Sequence, residues 1–174
     1  CVDTLIPKNN KKLIIEKTNG LEYWRENNLY VWEYGKGLFL SIYQNKNIEV
    51  YSNGFEGKQF NRPNDLVFDK SGNLFFTDPK SYAANILDGR IFMIDAKSKR
   101  TFMVADSLAF PNGINISPAD GRLYVCESAK QQIVSFNISS DLTLTDKKEV
   151  ILLPGGDPDG IEFDTEGNLY VAHF

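Results

Sequence analysis

Three short oxygen-bearing side chains, Asn64, Asn112 and Asp159, each directly follow a proline, in Pro63-Asn64-Asp65, Pro111-Asn112-Gly113 and Pro158-Asp159-Gly160. Amide and carboxylate oxygens unaccompanied by His or Cys suit a hard divalent cation, calcium first, with magnesium, manganese or zinc as alternatives. Taken singly, each tripeptide is a good turn former whose side chain hydrogen-bonds its own backbone. Three of them in phase, each at the start of a repeat, point instead to a shared site.

The repeat itself is visible along the chain. A fourth copy begins at Thr18-Asn19-Gly20, and the in-phase residues 19, 64, 112 and 159 are separated by 45, 48 and 47 positions. Each copy reads as a tight turn, a short apolar run, a second turn bearing Gly or Asn, and a second apolar run. In the second copy Leu66-Val67-Phe68 and Leu74-Phe75-Phe76 flank Asp69-Lys70-Ser71-Gly72-Asn73, the pattern of a hairpin with Gly in the left-handed position. Two more strand candidates follow, Arg90 to Asp95 and Thr101 to Ala105, so one repeat has four strands. A period of about 40–50 residues with this content indicates radially repeated four-stranded sheets, an all-β β-propeller. Residues 1–174 then form a single partial propeller of about three and a half blades. Equivalent positions of successive blades are related by rotation about the central channel. The geometry therefore brings Asn64, Asn112 and Asp159 to the axis at one height.

The Asp-x-x-Gly-Asn turns imitate the start of an EF-hand loop, but no flanking helix or bidentate Glu accompanies them, so bulged hairpins are expected. At 42% hydrophobic and 24% charged residues the chain is an ordinary globular one, and no apolar run reaches the roughly 18 residues of a membrane span. The net charge of −4, with scattered positive residues, argues against a nucleic-acid partner. Cys126 reads as a small buried thiol. A chain that opens on Cys1 has been processed or cut, which leaves a lipoprotein open beside a cytoplasmic or periplasmic protein. The tract Leu13-Ile14-Ile15 reads as the outer strand of a preceding blade. Lys80 to Gly89, with Tyr82 in it, is longer than a hairpin needs, a place for a lid or a substrate contact. Fewer than four repeats fit the chain, whereas closed propellers commonly have four to eight. Either the sequence is a fragment, the preferred reading, or another copy completes the ring.

Arg62-Pro63-Asn64-Asp65 with Phe76-Thr77-Asp78-Pro79, then Pro111-Asn112-Gly113, then Pro158-Asp159-Gly160 with Gly167 to His173, resemble the gluconolactonase, regucalcin and senescence-marker family. Its relatives include the phosphotriesterase that hydrolyses diisopropyl fluorophosphate. The resemblance implies a six-bladed propeller in the full family, one divalent cation in the channel and hydrolysis of a small sugar lactone. It makes Asn112 and Asp159 metal ligands, Asn64 a ligand or a water and substrate contact, Arg62 a substrate contact, and Asp159 the general base. Asn19 matches no ligand of the family. The family's remaining ligand, a Glu in a first-blade Glu-Gly-Pro turn, has no counterpart: Glu56-Gly57-Lys58 falls in a linker, and Glu16 lacks the context. His173, the sole histidine, reads as a packed or rim residue. Phosphotriester hydrolysis in the same pocket, or a propeller that only binds a partner, are the alternatives.

Overall fold

The computed structural model describes residues 18–24, 28–33, 37–43 and 47–174. The tract at 13–15, Glu16 and Cys1 lie outside them. The chain is laid down as successive antiparallel meanders. The first contains β1 (Thr18–Trp24), β2 (Asn28–Glu33), β3 (Leu38–Ile42) and β4 (Ile48–Ser52). The second contains β5 (Leu66–Phe68), β6 (Leu74–Asp78), β7 (Gly89–Ile94) and β8 (Thr101–Leu108). The third contains β9 (Pro111–Ile116), β10 (Leu123–Glu127), β11 (Gln132–Ile138) and β12 (Leu144–Leu152), with a short 3-10 helix at Ser128–Lys130 between its middle strands. β13 (Pro158–Phe163) and β14 (Leu169–His173) form a two-stranded start of a fourth sheet. Strands pair in sequence order within each sheet. Contacts between sheets run through β1 to β5, β5 to β9 and β9 to β13, so the first strand of each sheet is the innermost. This is propeller architecture.

Both faces of each complete blade are apolar, and the side-chain alternation of a strand sorts them between two neighbours. Leu66, Phe68, Leu74 and Phe76 face the first blade and pack with Tyr30, Trp32, Phe39 and Phe60. Val67 and Phe75, one residue out of phase, face the third blade and meet Ile114, Leu123, Val125 and Phe136. Cys126 and Ile133 continue the stack to Ile161 in the last sheet. Cys126 is a free, buried thiol whose burial pushes its pKa up, as its apolar strand implied.

The Asp-x-x-Gly-Asn segments are hairpins. Asp69 accepts N–H bonds from Ser71 and Asn73 at 2.8 Å each, and Asp164 accepts from Glu166 at 3.0 Å and Asn168 at 2.8 Å. These carboxylates are consumed by their own loops, and Gly72 sits at φ +92°. The tripeptides at the repeat starts correct one expectation. They are not turns but bulged openings of the innermost strands: register shifts fall between Thr18 and Leu21, between Pro111 and Ile114, and between Pro158 and Ile161. In the second blade Asn64 and Asp65 pair with Thr77 ahead of β5. A bulge inserts an unpaired residue and re-aims its side chain, which is how Asn or Asp leaves the alternation of its strand here.

Candidate metal centre and channel mouth

The innermost strands meet through the very residues that stand in phase. Gly20 N donates to Asn64 O at 2.7 Å, Thr77 Oγ1 donates to Asn112 O at 2.8 Å, and Ile114 N donates to Asp65 Oδ2 at 3.0 Å. Between the third and fourth sheets the approach is backbone to backbone. A Cβ on Gly113 would stand 2.3 Å from Asp159 O and 2.7 Å from Ile161 N. Asn19, Asn112 and Asp159 thus lie at the starts of innermost strands and Asn64 on the lead-in to β5, with successive members of the series in contact. Gly113→Ala must push the fourth sheet outward, and overpacking of this kind costs about 1–3 kcal/mol. A lowered thermal midpoint is the expected result, and an unmoved one would show that the sheets slide freely here.

Side chains add a pairing that the sequence did not disclose. Asn19 Nδ2 donates to Asn64 Oδ1 at 2.9 Å, giving the unassigned first-repeat Asn the task of orienting its neighbour. A carbonyl oxygen has two lone pairs, so Asn64 can still offer one to a cation. The surroundings are acidic. Burial pushes Asp65 up to about 6, against N–H bonds from Ile114 and Leu66 that lower it, and the charges of Glu162 and Asp159 add to the rise. Glu22 is raised by burial and then by Glu162 and Asp65. Among the described residues no three His, Cys, Asp or Glu side chains cluster as a ready ligand set. The donors that are present, two amides and one carboxylate amid mutually repelling carboxylates, fit a hard cation that would relieve the repulsion.

Arg62 stands beside this arc, at the mouth, and shares a cavity with two of its members. A cavity of about 270 Å³ there is lined by Thr18, Asn19, Arg62, Asn64, Pro79 and Phe110. The Arg62 guanidinium lies 5.6 Å over the Phe110 ring, and Tyr82 meets the same ring edge-on at 4.8 Å between centroids. Tyr82, from the long 79–88 segment, hydrogen-bonds Asp157 beside the fourth innermost strand, and that bond pushes the phenol up to about 12. His173 is exposed at the end of β14, with Nε2 3.2 Å from Leu153 O, a rim position.

Two buried carboxylates support the site without facing it. Asp78, the last residue of β6, is fully buried and accepts N–H bonds from Arg62 at 2.8 Å and Asn61 at 3.2 Å, with Arg90 Nη2 at 2.8 Å. Burial pushes its carboxyl up, against the lowering effect of those three donors. Glu127, the last residue of β10, is also fully buried and accepts from Ala109 N at 2.9 Å, Gln132 Nε2 at 2.7 Å and Lys147 Nζ at 3.1 Å. Each fixes the strand lead-in two or three residues ahead of an in-phase Asn. Glu33 holds the equivalent place in β2 and is 1% exposed.

A propeller whose innermost strands open on in-phase Asn and Asp residues, beneath a mouth lined by Arg62 and the Phe110 ring, is a recognisable class of protein. Residues 4–174 match the model of the SMP-30/Gluconolactonase/LRE-like region, and the chain belongs to that family. It is 28% identical over 173 residues to a gluconolactonase of Zymomonas mobilis, covering 89% of this chain and 49% of that protein. It is 29% identical over 163 residues to the diisopropyl-fluorophosphatase of Loligo vulgaris, covering 85% of this chain and 52% of the relative. A solved gluconolactonase from Xanthomonas campestris superposes with a TM-score of 0.77 at 24% identity, over 89% of this chain and 55% of its own. The chain spans about half the length of the curated relatives it matches. No helix of the described residues is long and apolar enough to cross a membrane.

Proposed function

We propose that this chain carries much of the active site of a divalent-metal-dependent hydrolase of sugar lactones. What supports the reading most is the placement of Asn64, Asn112 and Asp159 where successive innermost strands begin, beside the acidic residues Glu22, Asp65 and Glu162. A cation held by those three side chains, calcium first, would polarise the lactone carbonyl and stabilise the charge that develops on its oxygen.

The chain's own residues do the rest. Asp159 accepts the proton of the attacking water as the new bond forms to the carbonyl carbon. When the ring C–O bond breaks, that proton passes to the leaving ring oxygen, and the product is the open hydroxy acid. Asn19 holds the Asn64 amide so that its oxygen keeps one direction. Arg62 at the mouth hydrogen-bonds sugar hydroxyls and, after ring opening, the carboxylate. Phosphotriester hydrolysis is the second reading, favoured by the match to diisopropyl-fluorophosphatase.

The experiment is a rate measurement on the complete protein before and after chelation. Turnover of D-glucono-1,5-lactone is expected to fall at least about a hundredfold when the metal is stripped and to return with added calcium, the scale of a lost transition-state electrostatic contact. Full activity without metal would refute the reading. Diisopropyl fluorophosphate assayed in parallel, and turned over faster than the lactone, would favour the second.

A further inference from the structure

Phe110 has a backbone conformation that nothing in the propeller frame requires. Its φ is +53°, in the left-handed region that a bulky aromatic residue rarely enters. The residues around it hold it there. Ala109 N is bound by the buried Glu127 carboxylate at 2.9 Å, Phe110 O accepts from Ser128 N at 3.2 Å, and Pro111 fixes the next φ. The product of this strain is a ring at the channel mouth, walling the 270 Å³ cavity with Arg62 on it and Tyr82 at its side. Strained residues held by surrounding structure cluster at functional sites, and the inference runs from the outlier to the role.

We propose that Phe110 is a specificity-determining residue of this site, carrying Arg62 on its ring so that the guanidinium fork is aimed into the cavity at a substrate with adjacent hydroxyls. This rests on the lactone-hydrolase reading and narrows it. A guanidinium on a flexible stem is spread over many rotamers in water, and stacking on an aromatic ring reduces that number before the substrate arrives. The planar fork then meets paired oxygens at a fixed separation, as a polyhydroxylated ring offers and a plain aliphatic lactone does not. The cavity lies just below the roughly 300–1,000 Å³ typical for drug-sized ligands, a size for one substituted ring. The Phe110 ring walls one side of it, and Tyr82 packs edge-on against that ring and holds it in place against bulkier substituents.

The test compares D-glucono-1,5-lactone with δ-valerolactone, which lacks hydroxyls, on the complete protein. Phe110→Asn removes the ring while supplying a residue that tolerates positive φ, and Phe110→Tyr keeps the ring. In Phe110→Asn the preference for the sugar lactone is expected to drop about tenfold, mostly through KM, at an unreduced thermal midpoint, while Phe110→Tyr retains it. Arg62→Leu is expected to cause a similar drop, and the double variant Arg62→Leu with Phe110→Asn no more than either alone. An unmoved preference in Phe110→Asn, or equal losses on both lactones with a lowered midpoint, would overturn the assignment. D-gluconate binding by calorimetry separates this idea from the one beneath it. If the wild type hydrolyses neither lactone yet binds gluconate, and Phe110→Asn weakens that binding about tenfold, the hydrolytic reading fails and the Phe110 role stands. Gluconate binding that is absent, or unweakened in the variant, overturns the role.

Discussion

Asp159→Asn is expected to lower lactone turnover by about 10²–10⁴, the range a positioned general base supplies, and to weaken calcium binding as well. The substitution is nearly isosteric and leaves the backbone alone, which matters because Asp159 O abuts Gly113. What changes is charge. Asp159 is the one carboxylate among the three proposed donors, so its replacement leaves only amide oxygens, which hold a divalent cation weakly. Stability should hold or rise slightly, since Asp159 is one of the charges that push up Asp65. The combination separates a site residue from a structural one: activity and calcium affinity collapse while the thermal midpoint does not. Undiminished turnover would remove Asp159 from the site.

The sequence displayed the strands because both faces of a blade are buried, and a run such as Ile91-Phe92-Met93-Ile94 has no other comfortable place. It displayed the in-phase Asn and Asp residues because repetition aligns them. It misreported their conformation: Asn-Gly after Pro has the local preferences of a turn, and only the neighbouring strand, pairing across the gap, makes it a bulge. Asp78 and Glu127 were in plain view at the end of the second run of each repeat, yet a carboxylate closing a strand looks the same whether it faces water or a neighbour's backbone. Their signal was recurrence, since Glu33, Asp78 and Glu127 occupy one position of the repeat and His173 breaks the series. For Phe110 there was no signal at all, because a left-handed φ imposed by Glu127 and Ser128 leaves no local trace. Tyr82 was marked only by the surplus length of its segment, and its bond to Asp157 spans 75 positions.

The second large effect falls on stability and reaches the site through it. Asp78→Leu is expected to cost roughly 3–5 kcal/mol, the cost of breaking a buried ion pair by removing one partner. The side chain is fully buried, and its oxygens serve two backbone N–H groups and Arg90 at once. Leu fills the volume but leaves those donors without an acceptor, and each orphaned donor carries its own desolvation cost. Arg90 is already poorly provided for, with a buried Nε that has no hydrogen-bond partner among the described residues and a guanidinium packed 5.0 Å from the Phe92 ring centroid. Thermal unfolding should therefore show a midpoint lowered by about 10 °C or more. Asn61 and Arg62 lose their tether, so KM for the lactone should rise even where the variant remains folded. Arg90→Met together with Asp78→Leu replaces both partners with apolar groups and should recover much of the midpoint, as buried pairs replaced by hydrophobic residues often do. It should not recover KM, because the N–H groups of Asn61 and Arg62 still lack their acceptor. A double variant restored in both respects would show that Asp78 serves only Arg90, and that the Arg62-Pro63-Asn64 lead-in is held by its strand alone.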